Sequence, residues 1–464
     1  MSQAPPNSFA TLPLSPATLE NLVRLGYHEM TAIQAASLPP ALLGKDLIAQ
    51  AKTGSGKTAA FALALLANLN ARRFAVQSLV LCPTRELADQ DTTEIRRLAR
   101  AEDNIKVVTL SGGVPLRGQT TSLEHGAHVV VGTPGRVLDH LERGNLQLDA
   151  LNTLVLDEAD RMLDMGFVDD IAKVARQCPD ARQTLLFSAT YPEGIAKLAA
   201  QFMRTPVTVK VEAQHGGEQI EQRWYQVRES ERLPTVAKLL DHFRPASTLA
   251  FCNTKVRCRE LVELLQAQGY SALALHGDLE QRDRDQVLVR FANGSCSVLV
   301  ATDVAARGLD VAGLAAVINV DVTPDAEVHV HRIGRTGRAG ETGLALSLAS
   351  LDEMGAVGRT EQLRGGESKW HEVDELTPHG GERLLPAMAT IHIQGGRKEK
   401  IRPGDVLGAL TADLGYTREQ VGKIDINEFA TYVAVERSVA TDAVARPNQG
   451  RIKGRGVKAR LLKD

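Results

Sequence analysis

The sequence of 464 residues lacks cysteine pairs and long apolar runs, and it is poor in aromatic residues, at 4%. Its five cysteines form no Cys-x-x-Cys pair and are odd in number, which fits neither a zinc site nor a disulfide framework. No apolar run is long enough to span a membrane, and no positively charged, apolar leader opens the chain. With 43% hydrophobic and 24% charged residues, the composition is that of a folded globular protein. We therefore expect a cytoplasmic protein in a reducing compartment.

Excess charge of one sign is also lacking. The net charge is −2, which by itself argues against a nucleic-acid partner. The average hides an asymmetry, because Met388–Asp464 holds 14 Lys and Arg against 9 Asp and Glu, a balance of +5 that leaves −7 for the remainder. Within residues 446–464, Lys453, Arg455, Lys458 and other basic residues have only Asp464 as a countercharge. Such a tail is either a solvated surface or a phosphate-contacting one.

A glycine-containing loop lies between an apolar strand pattern and a helical pattern near the N-terminus. The loop consists of Ala51, Lys52, Thr53, Gly54, Ser55, Gly56, Lys57 and Thr58. Small residues at this place let backbone N–H groups converge on an anion at a helix N-terminus. Lys57 would reach the β- and γ-phosphates, and the Thr58 hydroxyl would ligate Mg²⁺. Because the strict pattern has glycine where Ala51 stands, an ordinary turn stays an alternative at this point.

Two adjacent carboxylates supply the second half of a nucleotide site. The apolar segment Leu154–Leu156 predicts a buried strand, and Asp157, Glu158, Ala159 and Asp160 follow it directly. Nucleotide hydrolysis needs one carboxylate near Mg²⁺ and a second to orient or deprotonate water. An acidic surface loop is the alternative, but together with the phosphate loop the pair favours a nucleotide hydrolase.

Strand and helix patterns alternate twice along the chain, which indicates two α/β domains with parallel sheets. The chemically suggestive residues fall at the ends of predicted strands, where such sheets bind ligands. The second domain lacks a phosphate loop but carries the arginine cluster His331–Arg338, which points to a phosphate-facing role. A final strand, helix, strands, helix, strand order predicts a small α+β domain of the split-βαβ type. The predicted organisation is a domain at 1–210, a linker at 211–219, a second domain at 220–364, a linker at 365–386 and the small domain at 387–464.

In the order and spacing of these motifs the chain resembles the DEAD-box RNA helicases. The resemblance covers nearly all of residues 9–350, and the family has alanine at the position of Ala51. It implies two tandem RecA-like domains, ATP and Mg²⁺ as cofactors, and ATP hydrolysis stimulated by RNA. The segments that carry it are the phosphate loop, Asp157–Asp160, Ser188–Thr190 and His331–Arg338.

The resemblance implies a role for each matching residue. Lys57 would hold phosphates, Asp157 would hold Mg²⁺ through water, and Glu158 would position the attacking water. Arg335 and Arg338 would act as arginine fingers from across a cleft. Contacts to adenine and ribose would come from Phe9, Gln34 and Asp303. Coupling of hydrolysis to domain closure would involve Ser188, Ala189, Thr190, Asp160 and His331. RNA contacts would come from Pro83, Thr84, Arg85, Gly113, Thr133, Pro134, Gly135, Arg136, Asn253, Thr254, Arg284 and Thr302.

Residues 387–464 resemble the RNA-binding domain of DbpA-type bacterial helicases, a likeness carried by Arg402–Leu410 and Gly422–Ile424. This implies an RNA-recognition-like fold and a structured RNA partner, a hairpin of large-subunit ribosomal RNA in pre-ribosomal particles. Tyr432 is the only aromatic residue that the pattern places on the central strand. We therefore expect basic loops, with Lys453, Arg455 and Lys458, to contact RNA instead of the sheet face. Nothing in the sequence indicates a membrane partner or an oligomer.

Three activities stay open at this point. The chain could separate short RNA duplexes, act as an ATP-gated clamp that remodels protein–RNA complexes, or bind RNA passively with a degenerate motor. The intact Lys57, Asp157, Glu158, Arg335 and Arg338 disfavour the passive protein, because decay would strike charged catalytic positions first. A DNA helicase is disfavoured by the resemblance only.

Overall fold

A computed structural model describes the protein over most of its length. It divides into two compact units, Met1–Gln214 and His215–Asp464. No helix in the described part of the chain is long and apolar enough to cross a membrane. The described residues are 7–51, 54–191, 193–211, 220–306, 313–337, 342–381, 383–413, 415–445, 451–452, 455–456 and 458–462.

The first unit is a seven-stranded parallel sheet with helices on both faces. Its strands are β1 (Leu47–Gln50), β2 (Ser78–Leu81), β3 (Val107–Leu110), β4 (Val129–Gly132), β5 (Thr153–Leu156), β6 (Gln183–Ser188) and β7 (Val207–Lys210). Its helices are α1 (Pro16–Arg24), α2 (Ala32–Leu42), α3 (Lys57–Ala67), α4 (Arg85–Leu98), α5 (Leu116–Glu124), α6 (Pro134–Glu142), α7 (Ala159–Asp164), α8 (Val168–Arg176) and α9 (Glu193–Phe202). The strand order is β3-β4-β2-β5-β6-β1-β7.

Helices on both faces explain why the strands are continuous apolar runs. In β4, Val129 and Val131 pack into the core on one face of the sheet and Val130 into the core on the other. An isolated alternating strand would expose half of these side chains, but here every position is buried.

The second unit begins with another seven-stranded parallel sheet, of order β10-β11-β9-β12-β13-β8-β14. Its strands are β8 (Ile220–Gln226), β9 (Thr248–Cys252), β10 (Ala272–Leu275), β11 (Val298–Thr302), β12 (Ala316–Asn319), β13 (Gly343–Ala349) and β14 (Trp370–His371). Its helices are α10 (Arg232–Phe243), α11 (Lys255–Ala267), α12 (Gln281–Ala292), α13 (Asp303–Ala306), α14 (Ala326–Ile333) and α15 (Met354–Arg364).

A four-stranded antiparallel sheet of order β16-β17-β15-β20 completes the second unit. Its elements are β15 (Met388–Gln394), α16 (Pro403–Gly408), β16 (Val421–Ile426), β17 (Ala430–Glu436), α17 (Ala440–Ala445), a small ribbon of β18 (Arg451–Ile452) and β19 (Arg455–Gly456), and β20 (Ala459–Leu461). Alternate side chains of β15 and β17, such as Ile391 and Val433, enter a core under the helices. The predicted fold class, two tandem RecA-like parallel sheets and a small α+β domain, is confirmed.

Part of the region predicted as a linker at 365–386 is folded onto the second sheet. The strand β14 pairs in parallel with β8, and the Trp370 ring lies 5.8 Å from the Trp224 ring. Leu376 enters the core of the same sheet. The sequence predicted a linker because the region is mostly polar and contains glycine, and only a few apolar residues pack against the sheet. Nearly all of the other predicted linker, 211–219, lies outside the described residues.

Candidate functional site

The carboxyl ends of the first sheet gather the predicted site residues along one edge. In the strand order, β1, β6 and β5 lie next to one another and lead into the phosphate loop, Ser188–Thr190 and Asp157–Asp160. The neighbouring strands β2, β4 and β3 lead into the segments predicted to contact RNA. Because parallel strands end at the same edge, one half of this edge carries the phosphate chemistry and the other half carries the RNA candidates.

The phosphate loop turns through a glycine whose backbone conformation strains any other residue. Gly56 has a left-handed backbone with φ +95°, and a Cβ atom there would lie 2.6 Å from Gln34 Nε2. Lys57 begins α3, and its Nζ donates to the Ala51 carbonyl at 2.9 Å. The ammonium group is therefore held at the loop, where its side chain is buried. Lys52 and Thr53 lie outside the described residues.

Two buried polar atoms at this loop have no hydrogen-bond partner among the described residues. They are Asp157 Oδ1 and Ser55 Oγ. An unpaired buried polar atom costs about 1–3 kcal/mol, so such atoms are expected where a ligand supplies the missing partner. Burial raises the pKa of Asp157 and the adjacent Lys57 ammonium opposes that shift. A carboxylate oxygen and hydroxyls beside a lysine fit a magnesium-bound triphosphate.

Asp91 on α4 is a buried carboxyl group at the same place that the motifs did not indicate. Its Oδ1 accepts a hydrogen bond from Thr58 Oγ1 at 3.3 Å, and its Oδ2 accepts one from Cys82 Sγ at 3.1 Å. Burial and the charge of Asp157 raise its pKa. A sequence signal existed, because Asp91 stands at an apolar-periodic position of α4 beside the buried Thr92 and Ile95.

Glu158 has an unusual backbone and a buried partner. Its φ is +50° and its ψ is +50°, a left-handed conformation that costs a non-glycine residue free energy. Its Oε2 accepts a hydrogen bond from Arg161 Nη1 at 2.7 Å, with both side chains almost fully buried. Arg161, which lies three residues on and is not among the predicted site residues, fixes the direction of the Glu158 carboxylate.

Asp160 connects the acidic loop to the end of β6. Its Oδ2 accepts hydrogen bonds from the Ala189 N–H at 3.2 Å and from the Thr190 N–H and hydroxyl at 2.9 and 3.0 Å. In return, the Asp160 N–H donates to Ser188 Oγ at 3.2 Å. The residues predicted to couple hydrolysis to closure within this unit therefore form one hydrogen-bonded network.

The two residues predicted to contact adenine are engaged within the protein. Gln34 accepts from the Thr31 N–H at 2.9 Å in a helix-capping box, and its Nε2 donates to the Gly56 carbonyl at 3.1 Å. The Phe9 ring is buried, with its edge against Tyr27 at 6.4 Å between ring centroids. In this conformation Gln34 joins α2 to the phosphate loop.

The predicted RNA residues of the first unit lie at helix starts and in turns. Thr84 caps α4, and Thr133 precedes α6 with Pro134 in its first turn. Arg136 donates to the Val114 carbonyl and to Gln119 Oε1, both at 3.1 Å. Of the remaining members of this group, Pro83 and Gly113 lie in turns, and Arg85 and Gly135 lie in the first turns of α4 and α6.

In the second unit a buried arginine of the His331–Arg338 cluster, for which the sequence predicted a phosphate-facing role, is instead engaged within the protein by two predicted residues, Asp303 and Asn253. Arg332 donates to both carboxylate oxygens of Asp303 at 2.7 Å, to Asn253 Oδ1 at 2.9 Å and to the Asp321 carbonyl at 2.7 Å. Its guanidinium also lies 5.1 Å from the centroid of the Phe251 ring. Asp303, predicted to meet the ribose, is thus held in a bidentate ion pair.

The other predicted residues of the second unit lie at a strand end and in or beside helices. Thr254 caps α11, Thr302 ends β11, and Arg284 on α12 donates to the Ala305 carbonyl at 2.7 Å. His331 and the buried Arg335 lie in and just after α14. Arg338 lies outside the described residues.

Comparison with known proteins agrees with this geometry. The chain matches models of the DEAD/DEAH box helicase (residues 31–198), the helicase conserved C-terminal domain (residues 231–340) and the DbpA RNA binding domain (residues 390–461). It is 51% identical to the ATP-dependent RNA helicase DbpA of Escherichia coli strain K12, over 98% of this chain and 100% of that protein. The chain belongs to the DEAD-box ATP-dependent RNA helicases.

Two further relatives place the helicase in the wider family. It is 42% identical to the CshA helicase of Geobacillus kaustophilus, covering 84% of this chain and 81% of that protein. Its fold matches S. cerevisiae Dbp5 bound to RNA and ADP BeF3 with a TM-score of 0.73 and 30% identity, over 80% of this chain and 96% of that one.

The C-terminal domain of the helicase hides the sheet face on which RNA-recognition folds stack bases. Tyr432 is only 2% exposed, and its ring lies 5.2 Å from that of His392, its partner across β15 and β17. On the same face Thr390 Oγ1 accepts a hydrogen bond at 2.9 Å from Asn293, which follows α12. The contact of the basic loops with RNA stays a prediction. Of the predicted loop residues, Lys458 is exposed, while the side chains of Lys453 and Arg455 lie outside the described part of the helicase.

His329 of the helicase should make the second unit acid-sensitive. It stacks on Trp224 at 5.2 Å, has no hydrogen-bond partner among the described residues, and burial lowers its pKa to about 3. At a pH between this value and the ordinary histidine pKa of about 6.5, His329 is protonated in the unfolded chain but neutral in the folded one. The free energy of unfolding therefore decreases as pH falls from about 6.5 toward 3. Between pH 7 and 4.5 the free energy of unfolding of the His329→Phe variant should therefore fall by about 2 to 3 kcal/mol less than that of the unmodified protein.

Urea unfolding followed by tryptophan fluorescence measures this effect, because Trp224 and Trp370 are the two tryptophans of the chain. Replacement of an exposed histidine in the same unit, His379→Phe, is the control. Parallel pH curves for His329→Phe and the unmodified protein would contradict the prediction.

Proposed function

We propose that this helicase is an RNA-stimulated ATPase that locally unwinds or remodels structured RNA, with a hairpin region of large-subunit ribosomal RNA as its target during ribosome assembly. The match of residues 390–461 to the DbpA RNA binding domain carries the choice of target, because it adds a dedicated RNA module to the motor. The proposal places the protein in the cytoplasm, on pre-ribosomal particles.

The phosphate site supports hydrolysis as follows. Lys57 and the loop N–H groups would bind the triphosphate, and Thr58 with Asp157 would hold Mg²⁺, partly through water. Bound Mg²⁺ would neutralise charge on the phosphates. Glu158, directed by Arg161, would orient the attacking water and accept its proton.

Arg335 and Arg338 would stabilise charge on the transferred phosphoryl group. Asp160, hydrogen-bonded to Ala189 and Thr190, would transmit the state of the nucleotide to the end of β6. Contacts of the motor with RNA would be to the backbone, which carries little sequence information.

The direct test is the ATPase rate with total RNA, with fragments of large-subunit ribosomal RNA, and with DNA of equal length. We expect stimulation by RNA and strongest stimulation by one ribosomal fragment. Equal stimulation by DNA would contradict the assignment to RNA. ATP-dependent RNA retention without strand separation would favour the clamp.

Deletion of residues 387–464 should separate targeting from catalysis. The truncated motor should keep a weak response to any RNA and lose its preference for the ribosomal fragment. A tethered RNA-binding domain raises the local RNA concentration to about millimolar, so the RNA concentration for half-maximal ATPase should rise sharply on deletion. The measurement compares full-length and truncated proteins with the fragment and with a scrambled RNA, and four similar values would show that the domain does not target the motor.

A further inference from the structure

The C-terminal domain presents an aromatic ring to solvent at one end of its sheet. Phe429 lies in the turn between β16 and β17 and is 60% exposed. Scattered exposed apolar side chains are normal, so exposure alone means little. What distinguishes Phe429 is the way its loop is held and the charge around it.

The loop that carries Phe429 is joined to a second loop by backbone hydrogen bonds. The Gly395 N–H donates to the Phe429 carbonyl at 3.1 Å, the Arg397 N–H to the Asn427 carbonyl at 2.9 Å, and the Lys398 N–H to the Glu428 carbonyl at 3.1 Å. The approach is close enough that a Cβ at Gly396 would overlap the Asn427 carbonyl oxygen. Two loops joined in this way present the ring in a fixed position, which lowers the entropy cost of binding.

A lysine covers one side of the ring. Lys398 Nζ lies 4.0 Å from the Phe429 ring centroid and 3.1 Å from Glu428 Oε1. A cation over an aromatic face is favourable, and the same lysine remains half exposed for a phosphate. We call this pair, Phe429 and Lys398, the aromatic platform.

Further exposed basic residues lie around the aromatic platform. Arg397 and Lys400 belong to the loop that carries Lys398. Lys458 lies next to the start of this loop, because its carbonyl accepts a hydrogen bond from the Gln394 N–H at 2.8 Å. Of the nearby acids, Glu399 is engaged by the Gly396 N–H at 2.7 Å. A rigid ring among basic side chains is the arrangement with which single-stranded nucleic acid is bound, bases on the ring and phosphates on the cations.

We propose that the aromatic platform stacks one unpaired base of the RNA bound by the C-terminal domain. The proposal rests on the RNA-binding function proposed above and adds the contact that the buried Tyr432 does not supply. It commits to an unpaired base because a duplex has no free base face to offer to a ring at a loop tip.

The test measures binding of the full-length protein to two RNAs by fluorescence anisotropy. One RNA is a hairpin with a randomised single-stranded loop, and the other is its blunt-ended stem. Phe429→Ala should weaken hairpin binding roughly 5- to 150-fold, the range found when stacking on an aromatic residue is removed, and change stem binding less than about twofold. The Phe429→Trp variant, which keeps an aromatic ring, should bind the hairpin about as tightly as the unmodified protein.

Two controls separate stacking from other effects. Phe74 of the first unit is also 60% exposed, and Phe74→Ala should leave both affinities unchanged. The slope of the logarithm of the binding constant against the logarithm of salt concentration reports the number of phosphate contacts. Lys398→Gln should reduce this slope by about one contact, whereas Phe429→Ala should leave it unchanged. The fluorescence of 2-aminopurine, placed in the hairpin loop, is quenched when the base stacks. This quenching should be weaker with the Phe429→Ala variant than with the unmodified protein.

The outcomes distinguish this proposal from the function on which it rests. Hairpin affinity of Phe429→Ala within about twofold of the unmodified protein, or an equal loss on hairpin and stem, would overturn the stacking role and leave RNA targeting intact. A full-length protein that binds neither RNA would overturn both. Loss of a protein partner with RNA binding unchanged would reassign the aromatic platform to a protein interface.

Discussion

Glu158→Gln should lower the ATP turnover rate by about 10² to 10⁴ while nucleotide binding stays nearly unchanged. The substitution keeps the size of the side chain and leaves a group that can still accept from Arg161. It removes the negative charge that would orient and deprotonate water. The phosphate contacts of Lys57 and its loop are untouched, so affinity should persist.

Steady-state ATPase with saturating RNA gives the turnover rate, and binding of a fluorescent ADP analogue gives the affinity. Glu124→Gln, at an exposed glutamate of the same unit, is the matched control and should change neither quantity. Arg161→Met should share part of the loss, because it leaves the Glu158 carboxylate without its buried partner. Turnover of Glu158→Gln within threefold of the unmodified protein would remove Glu158 from the mechanism.

Arg332→Met should destabilise the second unit by about 3 to 5 kcal/mol. The methionine keeps apolar contact with Phe251 but leaves Asp303 without its ion pair and Asn253 and the Asp321 carbonyl without their donor. Losing one member of a largely buried pair is costly because the remaining Asp303 carboxylate, whose side chain is 25% exposed, keeps only part of its hydration.

The same tryptophan-monitored urea unfolding measures this loss. Adding Asp303→Asn to Arg332→Met should recover part of it, since the uncompensated charge is then gone, and the double-mutant cycle gives the coupling energy. Arg359→Met, at an exposed arginine whose guanidinium donates to the Pro324 carbonyl, is the control. A loss below about 1 kcal/mol for Arg332→Met would show that the network does not stabilise the fold.

Strands whose side chains are mostly buried were predictable from sequence, whereas the exposed strand β7 and the two-residue strand β14 were not. Segments such as β4 and β12 are short, largely apolar runs in which every residue is buried. The strand β7 is mostly exposed, and it is a strand because it pairs with β1. Likewise β14 is two residues long and exists through its pairing with β8.

The sequence by itself determined the chemistry of the nucleotide site. The phosphate loop and the Asp157–Asp160 segment are contiguous, so the local order of residue types specifies both the turn and the reactive groups. Charge counting likewise located the basic C-terminal domain. These motifs can be recognised without the fold because the residues of each motif are neighbours in the chain.

Only the tertiary structure decided which distant groups hold these residues in place. Asp91 meets Thr58 from 33 residues away, Gln183 of β6 reaches the Ala41 carbonyl, and Arg332 joins Asp303 from 29 residues away. The burial of Tyr432 and the fixed exposure of Phe429 follow from how sheets and loops pack, since the less polar of the two rings is the exposed one. Side-chain type states what a residue can do, and packing decides whether water, protein or ligand is its partner.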